Sequence, residues 1–196
     1  MIKYIALLSL LLFFSCGKDT TNRTEEKEIE FRLENLANRG WKSKKVNQYI
    51  NEINYTATEV PNAYYIIKNE GLTDLKNVDS IINSHKNERV IELEFAQIDG
   101  KDLLTDEFTN RSYEDAVKYM AFTINKDFKA VGAKSKDTFN CVGVQFERNF
   151  KVAPFKRAML YFTGIPEDET IQLIYDDELF GNGRIKFNLK NQILLD

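Results

Sequence analysis

Short segments of alternating apolar and polar residues fill the last third of the chain, and they constrain the fold more than any other feature. In one of them, Val142, Val144 and Phe146 fall on the same face. The five candidate strands cover residues 128–131, 138–150, 156–162, 170–175 and 184–189, with glycine-containing turns at 164–166 and 181–183. Short strands separated by turns at a spacing of about ten residues predict antiparallel pairing in a sandwich or a strongly curved sheet.

Helical patterns dominate the earlier part of the chain. Apolar residues recur at helical spacing over 25–39, 74–85 and 113–123, whereas alternation predicts strands over 46–58 and 88–97. Residues 63–68 are apolar and aromatic, and their pattern fits a strand and a helix equally well. Because helices concentrate early and strands late, we expect an α+β fold, with N-terminal amphipathic helices followed by a mainly antiparallel β-sheet or sandwich. Residues 24–196 are expected to form a single globular domain.

The charge balance limits the classes of partner. The 196 residues include 27 Lys and Arg against 30 Asp and Glu, which gives a net charge of −3 with the histidine neutral. Phosphate binding requires clustered basic side chains, so this mildly acidic chain is not expected to bind nucleic acid.

A short apolar run near the N-terminus ends in a small residue and a cysteine. Lys3 precedes the run over residues 5–14, and Ser15 and Cys16 follow it. This run of ten residues is too short to cross a membrane, because a spanning helix needs about 20 residues. The arrangement resembles the signal of bacterial lipoproteins, which are cut before the cysteine and acylated on it.

This resemblance implies a lipid-anchored protein. Residues 1–15 would be the signal peptide, residues 16–23 a lipidated tether, and Cys16 the site of fatty acylation, including palmitate. Gly17 follows the cysteine, and the next pair, Lys18-Asp19, is similar to part of the surface-export signal of Bacteroidota lipoproteins. The expected location is therefore the outer membrane, with the cell surface favoured over the periplasmic face.

Two single residues limit nucleophile and metal chemistry. With Cys16 committed to lipid, Cys141 is the remaining cysteine, and its apolar surroundings predict a small buried side chain, the alternative being a reactive thiol. His85 is the single histidine, so multi-histidine metal sites are excluded. Its position near a predicted helix end indicates a solvated residue that complements the helix dipole.

Three groups of carboxylates are candidates for chemistry. The acidic triplets 167–169 and 176–178 flank a predicted strand; solvated turns are favoured, with calcium binding as the alternative. Glu92 and Glu94 lie two residues apart on a strand and therefore share a face. That face is expected to be solvated, and the alternative is a carboxylate pair for glycan hydrolysis.

Aromatic and basic residues provide two further candidate surfaces. Four aromatic side chains are expected to pack in the core, and the alternative is that they form a platform on which a sugar stacks. They are Trp41, Tyr64, Tyr65 and Tyr113. Three lysines are expected to be solvated at the start of a strand, and the alternative is that they contact an acidic partner or a lipid headgroup. They are Lys42, Lys44 and Lys45.

The sequence contains no phosphate loop, dinucleotide fingerprint, paired-cysteine or nucleophile-elbow motif, so no cofactor, metal site or catalytic residue is predicted. The expected function is a non-catalytic, lipid-anchored envelope lipoprotein that acts as a binding or accessory subunit of an outer-membrane assembly. One alternative is a lipoprotein that binds glycan or hydrolyses it with carboxylates. Another is a lipoprotein immunity or inhibitor protein, whose acidic loops would block a basic toxin cleft.

Overall fold

The computed structural model describes residues 25–39, 44–70, 75–147 and 153–189. The predicted signal peptide, the tether and its Cys16, and the candidates Trp41 and Lys42 lie outside these residues. The elements in chain order are α1 (Glu25–Arg39), β1 (Lys45–Ile50), β2 (Ile53–Val60), α2 (Asn62–Glu70), α3 (Leu75–Ser84), β3 (Arg89–Gln97), α4 (Asp106–Thr109), α5 (Tyr113–Phe122), a 3-10 turn (Ile124–Asp127), β4 (Phe128–Gly132), β5 (Thr138–Asn140), β6 (Gly143–Glu147), β7 (Phe155–Phe162), β8 (Ile171–Asp177) and β9 (Gly183–Leu189).

The strands form two sheets. One has five strands in the order β1-β2-β3-β7-β6, and the other has four in the order β5-β4-β8-β9. The paired strands run antiparallel throughout. The prediction of a mixed fold with antiparallel sheets is confirmed. The expected order of helices first and strands later is wrong in detail, because β1 and β2 precede four of the five helices.

The first strands form a tight hairpin where the sequence predicts one strand over 46–58. Ile50 pairs with Ile53, so the turn has two residues, Asn51 and Glu52. Both have positive φ angles, 46° and 66°, the conformation that matches the twist of a two-residue hairpin. The usual sequence signal for such a turn is Asn-Gly. This chain has Glu52 in place of the glycine, so the sequence pattern does not indicate the turn.

A second predicted strand, 138–150, is divided between the two sheets. β5 pairs with β4 in the four-stranded sheet, and β6 pairs with β7 in the five-stranded sheet. The change occurs at two consecutive residues: Cys141 N–H donates to Phe128 O at 3.3 Å, and Val142 N–H donates to Tyr161 O at 2.8 Å. These two bonds therefore join the sheets directly.

Residues of both sheets share one core. Tyr55 of β2 is fully buried and has its ring 5.7 Å from Phe95 of β3 and 6.2 Å from Tyr175 of β8. Tyr175 stacks on Phe128 of β4 with 4.3 Å between ring centroids. Aromatic groups in such contact add about 0.5–1.5 kcal/mol per pair beyond their area burial. The rings therefore tie the five-stranded sheet to the four-stranded one.

Helices cover two other parts of the molecule. Ile29, Ile67 and Val78, from α1, α2 and α3, form a separate small apolar cluster. Thus residues 63–68, which fitted two patterns, belong to helix α2. α5 instead contributes Ala116 and Met120 to the main core. Within the described part of the chain, the helices are too short or too polar to span a membrane.

Candidate ligand-binding site

A cavity of about 460 Å³ opens at one end of the five-stranded sheet. It lies where β3 ends and β7 begins, and the segment after β3 forms its third side. Its described lining residues are Phe95, Gly100, Lys101, Asp102, Leu103, Ala153, Pro154, Phe155 and Lys156. The volume falls in the range of small-molecule pockets, about 300–1,000 Å³.

Lys156 enters this cavity from the core-facing side of its strand. It pairs directly with Phe95, a core residue, so both side chains leave the sheet on the same face. The Lys156 side chain is 8% exposed, and its Nζ lies 3.0 Å from Oδ1 of Asp102, which is 16% exposed. Burial of an ammonium group is costly unless it is paired, so this ion pair holds Lys156 in place.

Asp102 is only partly satisfied by its neighbours. Its Oδ1 also accepts the backbone N–H of Leu104 at 3.1 Å, which fixes the carboxyl group against its own loop. Its Oδ2 is buried and has no hydrogen-bond partner among the described residues. A buried acceptor without a donor costs about 1–3 kcal/mol. The site thus contains one carboxylate oxygen with unused accepting capacity.

The loop before Asp102 is held by a buried glutamine. Oε1 of Gln97 accepts the backbone N–H groups of Asp99 at 2.6 Å and of Lys101 at 3.1 Å. Gly100 completes the turn with φ of +72°, a conformation that favours glycine. The rim of the cavity therefore has a defined backbone conformation.

The second lysine of the cavity is also paired. Nζ of Lys101 lies 2.7 Å from Oε1 of Glu107, and this hydrogen bond is the main cause that raises the pKa of Lys101. Both lysines that line the cavity therefore have a carboxylate partner, and each of the two ion pairs has no net charge. Such a site can hold polar groups by hydrogen bonds without selecting a strongly charged ligand.

A separate polar network lies within the core. Asp177 is buried; its Oδ2 accepts the Tyr55 hydroxyl at 2.8 Å, and its Oδ1 accepts the Tyr175 hydroxyl at 2.8 Å and the Phe180 N–H at 2.9 Å. Burial raises the pKa of Tyr55 well above its usual range, so its hydroxyl remains a donor. The Tyr55 oxygen in turn accepts from Nδ2 of Asn182 at 2.6 Å. These groups satisfy one another and stabilise the contact between the sheets.

Asp127 titrates closer to neutrality than an ordinary aspartate. Burial is the main cause that raises its pKa to about 6, and the nearby Glu178 and Asp177 raise it further. The Tyr119 hydroxyl donates to its Oδ2 at 2.6 Å, and the Arg111 guanidinium lies 4.1 Å from the Tyr119 ring centroid. Asp127 belongs to the turn before β4 and does not line the cavity beside Asp102.

Glu92 and Glu94 lie on the outer face of β3, but the expectation of a solvated face is wrong for Glu92. It is buried, and it accepts the hydroxyl of Tyr65 from helix α2. Glu94 is half-buried and accepts from the guanidinium of Arg157, which also lies 3.3 Å from Glu147. Tyr65 of helix α2 contacts this part of the sheet, which local alternation along β3 does not reveal.

The acidic triplets have mainly structural contacts. Glu169 is buried and accepts the backbone N–H groups of Lys134 at 3.0 Å and Ser135 at 3.2 Å, so it is not the solvated turn residue that was predicted. Asp177 is likewise buried, whereas Asp176 pairs with Arg184 at 2.5 Å. Among the described residues, no group of three or more Asp, Glu, His and Cys side chains is arranged to hold a metal ion.

The single histidine and the described cysteine have the predicted surroundings. His85 follows the last residue of α3, and its Nδ1 lies 2.7 Å from Ile81 O. Cys141 is buried and its Sγ donates to Gly143 O at 3.0 Å. Burial raises the pKa of the Cys141 thiol, which disfavours the reactive thiolate.

The aromatic and basic candidates are only partly brought together. Tyr64 and Tyr65 are in edge-to-face contact with centroids 5.5 Å apart, whereas Tyr113 begins α5 and is 46% exposed. Lys44 lies 3.1 Å from the buried Glu59, and Lys45 is exposed on β1. No common aromatic platform or basic patch is formed by these described residues.

Sequence reasoning missed Asp102 and Lys156. One signal for Lys156 is present in the register of β7, because it precedes the inward-facing Ala158, Leu160 and Phe162 at a spacing of two. Asp102 lies in an irregular segment, where no periodic pattern reports burial. The chain matches no protein-family model, no curated protein and no solved structure.

Proposed function

We propose that this chain is a lipid-anchored, non-catalytic binding protein of a bacterial outer membrane, where it acts as a binding or accessory subunit of an envelope assembly. The observation that carries the binding role is the cavity beside Asp102 and Lys156, because it combines a buried ion pair with unused hydrogen-bonding capacity. The cell surface is the favoured location.

The character of the cavity lining supports binding more than hydrolysis. Glycoside hydrolases use two carboxylates that flank the scissile bond. Among the described residues that line this cavity, Asp102 supplies the carboxylate, and it is engaged by Lys156. The pair Glu92 and Glu94 is engaged by Tyr65 and Arg157 on the other face of the sheet.

The fixed position of the acidic loops supports a binding subunit more than an inhibitor of a basic toxin. An inhibitory loop must present its carboxylates to a partner. Glu169 and Asp177 are instead buried, and each accepts hydrogen bonds from its own chain. Asp176 and Asp168 are paired with Arg184 and Lys134.

The proposed anchor explains how weak contacts can suffice. Two or more acyl chains on Cys16 would make attachment effectively permanent, since each buried methylene contributes about 0.8 kcal/mol. Anchored domains meet membrane partners at a high effective concentration. We also propose that the N-terminal amphipathic helices, with Ile29 of α1 and Ile67 of α2 in their shared cluster, form the membrane-proximal part of the domain.

Affinity purification from membranes tests this function. The full-length protein carries a C-terminal tag and is compared with Cys16→Ala, which removes the proposed acylation site. The full-length protein is expected in the membrane fraction together with a stoichiometric envelope protein, and Cys16→Ala is expected in the soluble fraction without that protein. Equal membrane recovery of both forms, or no co-purifying partner with the intact form, contradicts the proposal.

A further inference from the structure

We propose that the cavity at the end of the five-stranded sheet binds a neutral, hydroxylated ligand of carbohydrate chemistry, either a free sugar or the terminal residue of a glycan. This inference rests on the proposed binding function and names the ligand class for the same site. Three properties of the cavity carry it: the donor and acceptor pattern of Lys156 and Asp102, the balanced charge, and the apolar wall.

The ammonium group of Lys156 supplies donors. It has three N–H groups, of which its ion pair with Asp102 Oδ1 occupies one. Because the side chain is more than nine-tenths buried, water has little access to the others. A ligand hydroxyl can accept such a hydrogen bond, and a bond to a charged donor is stronger than one between neutral groups.

The carboxyl group of Asp102 supplies an acceptor. Within the part of the chain that the structure describes, its buried Oδ2 has no partner, while Oδ1 is occupied by Lys156 and by the Leu104 N–H. A small rotation of the side chain toward the cavity gives Oδ2 a donor if the ligand carries an O–H group. A hydroxyl group both donates and accepts, so adjacent hydroxyls on one ring match Asp102 and Lys156 together.

The charge balance of the cavity favours a neutral ligand. Lys156 is neutralised by Asp102, and Lys101 by Glu107. An anionic ligand would compete with Asp102 for Lys156, and a cationic ligand would add a third positive charge beside Lys101 and Lys156. Either ligand would bring one charge without a counter-charge next to the buried Lys156–Asp102 pair, which is unfavourable.

The remaining lining residues suit the C–H faces of a sugar ring. Phe155 is half-buried and Pro154 is exposed, so these two offer apolar surface to a ligand, whereas Phe95 and Leu103 are buried core residues. Aromatic rings with a few convergent polar groups are typical of small-molecule sites. Gly100 leaves space beside its Cα, since an added Cβ would meet no atom of the described residues within 4 Å.

Binding of individual sugars to the full chain tests the inference. The protein is kept in a detergent without a sugar headgroup, and saturation-transfer NMR and calorimetry are run with glucose, galactose, mannose and N-acetylglucosamine. At least one is expected to bind with a Kd of about 0.1–1 mM. The best sugar is then compared with its uronic acid and its amino sugar, both of which are expected to bind at least about tenfold more weakly.

Oligosaccharides that end in the same sugar distinguish the two sources. If the oligosaccharide binds about tenfold more tightly than the single sugar, the ligand is the end of a glycan. If the two bind with equal affinity, the ligand is a free sugar. The inference is overturned if no sugar binds at about 10 mM, or if a charged analogue binds more tightly than the neutral sugar. A co-purifying envelope partner in the absence of sugar binding would leave the proposed function intact and remove this inference alone.

Two variants locate the site. Lys156→Met combined with Asp102→Asn removes both charges, so no lone charge stays buried, and it is expected to weaken sugar binding about ten- to a hundredfold. Lys134→Met is the matched control, because Lys134 pairs with Asp168 on the surface with 66% and 82% exposure. Circular dichroism verifies that each variant is folded. Unchanged affinity in a folded double variant contradicts the assignment.

Discussion

Tyr55→Phe is expected to destabilise the protein more than Tyr175→Phe, although both remove one hydroxyl from a buried ring. Each hydroxyl donates to Asp177 at 2.8 Å. The difference lies at the acceptor. Oδ1 of Asp177, the partner of Tyr175, also accepts the N–H groups of Leu179 at 3.2 Å and Phe180 at 2.9 Å. Oδ2, the partner of Tyr55, has the Tyr55 hydroxyl as its described donor.

The magnitudes follow from these partners. Loss of the Tyr55 hydroxyl leaves a buried carboxylate oxygen without a donor and also removes the acceptor of Asn182, so we expect a loss of about 2–3 kcal/mol in the free energy of unfolding. Loss of the Tyr175 hydroxyl leaves Oδ1 with two backbone donors, and we expect about 1 kcal/mol. For a domain of this size, 1 kcal/mol corresponds to about 2–4 °C in Tm.

Urea unfolding followed by far-ultraviolet circular dichroism measures both variants. The urea concentrations at the midpoint of unfolding are compared between variants whose dependence of free energy on urea has the same slope. A difference in midpoint then reports a change in stability rather than a change in the denatured state. The double variant is expected to lose less than the sum of the single losses, because the hydroxyls share one carboxyl group. Equal losses for the two single variants, or a larger loss for Tyr175→Phe, would refute the reasoning about Asp177.

Three further variants test local features. Asp127→Asn is expected to stabilise the protein by about 1–2 kcal/mol at pH 7–8, after allowance for solvent screening. Because the pKa of Asp127 is raised to about 6, the wild-type protein loses stability as pH rises through that value, and the gain of the variant should vanish near pH 4. Urea unfolding across pH measures this dependence. Glu52→Gly is expected to raise Tm by about 2–4 °C, because Glu52 has a φ of 66°. Gly132→Ala is expected to lower stability by at least about 1 kcal/mol in the same assay, because its Cβ would meet Ser135 Oγ at 2.3 Å.

Each of these variants has a control and a contradicting result. Asp137→Asn removes a carboxylate from an exposed turn and should show little of the pH-dependent gain; an equal gain in both variants would contradict the role of burial at Asp127. Asn51→Gly should raise Tm less than Glu52→Gly, since asparagine tolerates positive φ better than glutamate and since its Nδ2 donates to Asn182 Oδ1 at 2.7 Å. A fully stable Gly132→Ala variant would show that Ser135 can move without cost.

Elements with regular patterns were predictable from the sequence. The strand predicted over 88–97 is β3 (Arg89–Gln97), and the helix predicted over 113–123 is α5 (Tyr113–Phe122). The helix start is also confirmed, because Ser112 Oγ accepts the Asp115 N–H at 3.1 Å. In these segments, local periodicity agrees with the residues that face the core, so the pattern is sufficient to locate the elements.

The connections between sheets were not predictable in the same way. The apolar positions shift by one residue between Cys141 and Val142, and these two residues bond to different sheets. A period of two reports which side of a strand is apolar, but not which sheet it joins. Glu92 shows the complementary limit, because its burial arises from Tyr65 of α2, a residue distant in the sequence.

The candidate site required the three-dimensional arrangement. Lys156 breaks the apolar side of β7, which is a local signal, but its partner Asp102 lies in a loop far along the chain. The two meet because β3 and β7 are adjacent and antiparallel, so the loop after β3 lies beside the start of β7. Strand order is a property of the whole sheet, and no local pattern encodes it.

Mass spectrometry of the amino-terminal peptide, from protein extracted from membranes of its own cells, tests the central claim most directly. The account predicts that the mature chain begins at Cys16 and that this residue carries fatty acyl groups, which Cys16→Ala abolishes. An unmodified Cys16, or a mature chain that still contains residues before it, would contradict the anchored binding protein proposed here.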